Sequence, residues 1–235
     1  MSVTTIDATL QGFSYKIYQA IAIDWNFEVR DASVGTVATT VTTNVLDMDS
    51  IRVQLYLFRG STAGACGRTF LFFDLSSIVG TITSATLKVL GYYNGTCGVI
   101  PVKSTAWGGN GTTTTLSTSN YSALDYSNVY SSAITSWNTS TYNDFTLNST
   151  AISDMNSSGY LNICLIDNTY DYLDTSPPLG TNIQSGIEYL DGVNNIKLEI
   201  TYGTSYGNNV IGVNSVDISS VIGVDASDIS TVIGV

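Results

Sequence analysis

The stretch Arg68-Thr69-Phe70-Leu71-Phe72-Phe73-Asp74-Leu75-Ser76-Ser77-Ile78 constrains the fold more than any other part of the chain. It is apolar at consecutive positions, too short for a helix, and bounded by Gly67 and Gly80. A run of this kind reads as a core strand. Beyond a Gly-Thr turn, Ile82, Ala85, Leu87 and Val89 are set against Thr83, Thr86 and Lys88. That alternation fits a strand with one face on a core and the other toward water. Two core strands joined by a short crossover are therefore expected, and the rest of the chain reads as all-β around them.

Ile21, Ile23, Trp25, Phe27 and Val29 alternate and predict a strand, while Phe13, Tyr15, Ile17 and Tyr18 fit a further strand or an arm laid on a neighbouring subunit. Residues 31–44 favour exposed β-structure. Ile51, Val53, Leu55 and Leu57 alternate with Arg52, Gln54 and Tyr56 before a glycine-rich turn at 60–67. Asn94-Gly95 predicts a tight hairpin turn, from which Val99, Ile100 and Val102 return. A short helical turn is expected within 150–158, ahead of a strand at Tyr160–Ile166, and the last strands lie at 185–191 and 196–202. No other helix of consequence is expected.

Composition narrows the function. The 235 residues carry 8 Lys+Arg against 19 Asp+Glu, a net charge of −11, with only 11% charged residues. Solubility then rests on Ser, Thr, Asn, Tyr and Gly, and nucleic acid is excluded as an expected partner for want of clustered cations. There is no histidine, which removes the Ser-His-Asp hydrolase, the His-ligated zinc site and the His general base together. Cys66, Cys97 and Cys164 are too few and too far apart for a metal cluster. They read as buried small hydrophobes, or as one disulfide with an odd cysteine left over. The first residues lack a basic start followed by an unbroken apolar run, so no signal peptide is read there, and no stretch approaches the ~20 apolar residues of a membrane span.

The order of the blocks resembles the DNRLRE, or disaggregatase-related, family. Its pattern is carried by Phe73-Asp74-Leu75-Ser76, the crossover, Ala85-Thr86-Leu87 and the aliphatic strand after it. Later blocks are Phe145-Thr146-Leu147-Asn148, Tyr160–Asp167, Ser185–Tyr189 and Lys197–Tyr202. The resemblance spans roughly 45–203. It implies a jelly-roll-type β-sandwich, a setting found in secreted carbohydrate-binding proteins and in phage structural proteins, and it implies no fixed catalytic residues. The expected organisation is an N-terminal strand or arm over 1–44, the sandwich over 45–203, and an assembly strap over 204–235.

That strap is visible as a repeat. Val210–Ser220 recurs as Val221–Thr231, and Val232-Ile233-Gly234-Val235 opens a third copy, a spacing of eleven residues. Eleven-residue repeats can be helical, but the glycines and β-branched residues favour strands, such as Ile218–Val224, joined by Asn/Asp turns. So few units cannot bury two faces alone. A homo-oligomer, a trimer in the fibre case, is expected with Ile218, Val221, Ile222, Ile229, Val232 and Ile233 between chains.

Three constellations are candidates for sites. Trp107, Tyr121, Tyr126, Tyr130 and Trp137, on a long polar insertion over Thr105–Tyr142, offer aromatic faces for a cell-surface glycan, against the alternative of ordinary packing. Asp167, Asp171 and Asp174 could hold calcium, or could be a solvated acidic loop without the EF-hand pattern. Asp74 is expected to cap turn amides or meet Arg68. No other cofactor is expected. The reading that unites these features is a non-enzymatic virion structural protein, a capsid decoration, head-fibre or tail-fibre subunit, held by its termini on the particle with itself and other virion proteins as partners. A carbohydrate-binding module or adhesin, and a subunit of a strand-exchanged filament, are the alternatives.

Overall fold

The computed structural model describes residues 1–42, 45–189, 195–203, 220–221 and 224–225. Among them the chain is mostly β: one antiparallel sheet of twelve strands that does not close, with few short helices. The strands are β1 Ser2–Asp7, β2 Leu10–Ala20, β3 Val37–Thr40, β4 Val45–Phe58, β5 Ser61–Asp74, β6 Thr81–Gly95, β7 Val99–Ser104, β8 Leu124–Val129, β9 Tyr142–Thr146, β10 Tyr160–Asp167, β11 Thr181–Tyr189 and β12 Ile196–Gly203.

β5 is the hub. One edge pairs with β2 from Thr62 to Phe72. The other edge is shared, with β4 on Ser61–Gly67 and β10 on Thr69–Asp74. Its alternate residues enter two cores. Leu71 and Phe73, with Ile163 and Leu165 of β10, meet Leu87 and Val89 of β6, Phe145 of β9, and Leu198 and Ile200 of β12. Phe70 and Phe72, with Val102, Cys164 and Ile166, are covered on the opposite face by Trp107 and Leu116. A strand buried on both faces must be apolar at consecutive positions, which accounts for the run Phe70–Phe73. Each fully buried side chain of this size contributes roughly 1.5–3 kcal/mol.

β6 carries the chain between two parts of the sheet. Its first residues pair with β12 and β9, and Gly91 and Gly95 then meet β11. Three residues of β6 stand there against one of β11, a bulge with Tyr93 at φ 37 and Asn94 at φ 33. The expected Asn94-Gly95 hairpin is therefore corrected. The left-handed backbone that Asn favours is present, but it bends a continuing strand, and β7 pairs with β10 and β8 instead. The glycine-rich turn expected at 60–67 also shrinks. Arg59 (φ 49) and Gly60 (φ 81) alone reverse the chain, as a two-residue hairpin requires. Gly67 lies within β5 because the Tyr15 ring packs on it, where a Cβ would sit 2.3 Å from ring atoms.

The N-terminal segment is part of the sheet rather than an arm, since β1 pairs with β12 and β2 with β5 and β3. The strand expected over Ile21–Val29 is a π-helical turn at Trp25–Arg30. Trp25 and Val29 are buried while Phe27 is 76% exposed, a four-residue spacing rather than a two-residue one. Asp24 starts the turn, its carboxylate accepting from Phe27 N at 3.2 Å and its N–H donating to Glu28 at 2.8 Å. Two further short turns, Thr118–Ser122 and Asn168–Tyr172, follow the same use of polar caps.

The helix expected near 150–158 is α1, Ser149–Ser158, capped by Asn148 through Ala151 N at 3.1 Å and closed by Gly159 at φ 74. All three cysteines are free and buried, so the disulfide alternative does not occur. No helix among the described residues is long and apolar enough to cross a membrane. In the repeat, β13 Ser220–Val221 pairs antiparallel with β14 Val224–Asp225. The described residues of the strand expected over Ile218–Val224 thus fall on two paired strands, Ser220–Val221 on one and Val224 on the other. Of the assembly residues, Val221 belongs to β13, and Ile218, Ile222, Ile229, Val232 and Ile233 lie outside the described residues.

Candidate functional site

The structure draws most of the aromatic and acidic candidates inward. Trp107 and Tyr121 are fully buried, Tyr130 is 2% exposed and Trp137 6%, so these rings have no face to offer a sugar. Trp107 seals the outer core and Trp137 sits in the inner one, its indole N–H donating to Gly186 O at 3.1 Å. The five aromatics do not form a platform. The polar insertion that carries them wraps the sheet, because the apolar outer face of β5, β7 and β10 has to be covered.

Tyr121 and Tyr126 instead join a buried lock around Arg68, which is 1% exposed on β5. Arg68 Nε and Nη2 donate to both oxygens of Asp171 at 2.8 and 2.7 Å, Nη1 donates to Tyr121 O at 2.8 Å, and Nη2 also donates to Arg30 O at 2.7 Å. Its guanidinium lies 4.1 Å from the Tyr121 ring centroid. Tyr126 donates to Asp171 at 2.7 Å, beneath Arg30 at 4.4 Å from its ring. Burial by itself would lower the pKa of Arg68, but the Asp171 carboxylate, together with Tyr121, Tyr126 and Cys66 around it, outweighs burial and raises it above its ordinary value, so the guanidinium stays charged. One ion pair thereby ties together the Trp25–Arg30 turn, β5, the insertion and the Asn168–Tyr172 turn.

This arrangement corrects the calcium reading. The oxygens of Asp171 are taken by Arg68 and Tyr126, and Asp174 pairs with Arg30 at 3.3 Å. Asp167 accepts from Thr169 N and Tyr170 N at 3.0 and 2.6 Å. Among the described residues no group of three or more His, Cys, Asp or Glu side chains could hold a metal. Asp74 does cap a turn, accepting from Ser76 N at 2.9 Å, whereas Arg68 meets Asp171 and not Asp74.

An open polar site lies elsewhere, between β7, β10, α1 and the glycine loop after Trp107. It is a cavity of about 170 Å³ lined by Lys103, Tyr130, Asp154, Ser157, Tyr160 and Asn162 among others. Lys103 Nζ donates to Asp154 Oδ2 at 2.8 Å, and Tyr130 donates to the same oxygen at 2.6 Å. Burial would raise the Asp154 carboxyl, but the hydrogen bonds from Lys103 and Tyr130 prevail and hold it below its ordinary value. Burial, and then the bond to Asp154, raise the Tyr130 phenol. Near neutral pH the pair is a carboxylate beside a neutral phenol. Asn162, 4% exposed, donates Nδ2 to Ala106 O at 2.7 Å and to Gly109 O at 3.1 Å, and its Oδ1 is buried without a partner.

Of the sequence candidates only Tyr130 lines this cavity. Lys103, Asp154, Ser157 and Asn162 were not singled out, since they sit on three separate elements and only the folded sheet brings them together. Such a mixture of donors and acceptors suits recognition of a polar ligand. Away from this cavity, burial raises all three thiols, Cys66, Cys97 and Cys164, which keeps them in the unreactive protonated form. No protein-family model matches the chain, and no curated protein is significantly similar to it.

Proposed function

We propose that this protein is a non-enzymatic structural component of a virion: a jelly-roll-type β-sandwich displayed on a particle and attached through its C-terminal repeat. The observation that carries the reading is a division of labour along the chain. All twelve strands of the large sheet come from residues 2–203, while the described strands of the repeat pair only with each other. In this reading the apolar repeat serves assembly, with copies of itself around a rotation axis, a trimer in the fibre geometry, or with another virion protein. The resemblance of Arg68–Leu90 to the jelly-roll pattern, two cores on either side of β5, and a cation-poor composition support a displayed shell with no affinity for nucleic acid.

Deletion of 204–235 tests it. The truncated protein should stay soluble and melt within a few degrees of the intact chain, while light scattering shows that the intact chain associates and the truncated one does not. Unfolding on truncation would make the repeat part of the core and end the strap idea. Filaments of the purified intact protein under the electron microscope would favour a strand-exchanged filament instead.

A further inference from the structure

We propose that the sheet face beside the β4–β5 hairpin receives the C-terminal repeat of a second copy of this chain. Register builds the face. Tyr56 pairs with Ala63 and Ile17 with Ala65, so these side chains and Phe58, two residues beyond Tyr56, stand on one side of β2, β5 and β4. Ala63 and Ala65 form a floor of small residues, 5% and 4% exposed, while Ile17, Tyr56 and Phe58 remain 49%, 39% and 42% exposed. On the same side of β5, β6, β9 and β12 cover Leu71 and Phe73, but none of the five residues here packs into the clusters around Leu71, Phe70 or Trp25. Leu57 and Leu179, both exposed, extend the apolar surface around this end, where Gly180 N donates to Leu55 O at 2.7 Å. Contiguous exposed apolar surface marks a site of association.

Charge selects the occupant. Arg59 at the hairpin tip lies 5.1 Å from the Phe58 ring centroid, and no carboxylate among the described residues pairs with it. The repeat over Val210–Val235 is rich in Val and Ile, carries Asp217, Asp225 and Asp228, and has no Lys or Arg. An apolar acidic segment complements an apolar face with one open cation, whereas two hairpin ends brought together would set Arg59 against Arg59. Position selects the copy. β12 ends at Gly203 opposite Thr81. That is the Asp74 end of β5, since Ile82 N donates to Asn156 Oδ1 at 2.8 Å and Leu75 N to Gly159 O at 3.0 Å. The length of β5, roughly 40 Å, separates this end from the hairpin. The repeat starts no farther than ~25 Å from Gly203, short of its own chain's hairpin, while a second copy can bring its hairpin end to it. Contacts between two unlike surfaces close into a ring when the rotation allows, a trimer among them. This inference rests on the reading of the repeat as an assembly strap, and it names the surface that the strap holds.

Two full-length variants test it, with circular dichroism to show that each is folded. Phe58→Ser/Arg59→Asp alters the face, and Asp tolerates the φ of 49 at position 59. Ile222→Asp/Ile233→Asp alters the strap. By light scattering the intact chain should associate, and each variant alone should associate about tenfold more weakly or less still. Mixed in equal amounts, the two should form a complex with one copy of each, because one brings an intact strap and the other an intact face. Ile17→Asp, on another strand of the same face, should behave as the hairpin variant does and replaces it if that variant misfolds. If the face variants associate as the intact chain does while the strap variant is monomeric, this proposal fails and the strap reading stands. A mixture that forms no complex overturns the proposal as well. Undiminished association of the strap variant, or an intact chain that is itself monomeric, ends both the proposal and self-assembly through the strap.

Discussion

Arg68–Asp171 and Lys103–Asp154 are both cation–carboxylate pairs with a tyrosine donating to the carboxylate, yet they do opposite things. The first is sealed, with side chains 1% and 0% exposed; the second is open, at 38% and 29%. Sealing turns a pair into a structural commitment, because each charge has left water and only its partners compensate it. An open pair has water as an alternative partner and contributes little to folding, which leaves its atoms free to meet a ligand. Residue types alone therefore do not separate a lock from a site; the difference is made by what covers them.

The largest effect expected from this contrast is at the lock. Asp171→Asn leaves Arg68 charged in the interior and should cost about 3–5 kcal/mol, a fall in melting temperature on the order of 10 °C for a chain of this length. A double variant, Arg68→Met with Asp171→Leu, should cost less than Asp171→Asn alone, since neither charge then remains unpaired. If the single variant melts within 2 °C or so of wild type, the ion pair does not hold the four segments together.

A second carboxylate beside the lock gives a pH signature. Burial, against hydrogen bonds from Tyr170 and Thr169 and with the added repulsion of Asp171, raises the Asp167 carboxyl from 3.8 to about 6. Between about pH 4 and pH 6 the folded protein holds this proton and the unfolded chain does not, so stability falls as pH rises through that window, by about 3 kcal/mol in all. Asp74, Asp125 and Asp154, whose carboxyls are lowered, act in the other direction and at lower pH, losing their contribution as pH falls below the ordinary carboxylate value. Asp167→Asn should flatten the slope of stability between pH 4 and 6 whatever its absolute stability. An unchanged slope would mean that Asp167 is ionised throughout.

How much of this was readable in the chain depends on how local each cause is. Phe70–Phe73 announced a strand covered on both faces because consecutive burial leaves a mark on every residue. α1 was read only as a short turn within 150–158, although the Asn148 cap and the Gly159 stop that bound the full helix are local signals. Trp25–Arg30 was misread because Trp25, Phe27 and Val29 share a two-residue spacing, while the burial of Trp25 and Val29 without Phe27 is decided by packing against β5. The aromatic insertion looked like a surface because it is polar on average. Its few rings are the part that packs, and nothing in 105–142 says that the face of β5 opposite the inner core needs a cover. The cavity was beyond reach, since Lys103, Asp154 and Asn162 converge only through the β7–β10 register that sets Lys103 opposite Ile163, next to Asn162.

The smallest effect expected is at the open pair, and it is where the comparison can be broken. Asp154→Asn makes the same chemical change as Asp171→Asn: a carboxylate beside a cation and a tyrosine becomes an amide. At Asp154 the orphaned cation is Lys103, which can turn to water, and Tyr130 can still donate to the amide oxygen. The cost should therefore stay within about 1 kcal/mol, a shift of about 2–4 °C at most, and Lys103→Met should behave alike. Added salt should erase even that difference between wild type and Asp154→Asn, because exposed pairs are screened, and should leave the Asp171→Asn deficit nearly intact. If Asp154→Asn destabilises as much as Asp171→Asn, the Lys103 site is a second lock, and a role in binding for its charged pair loses its physical basis.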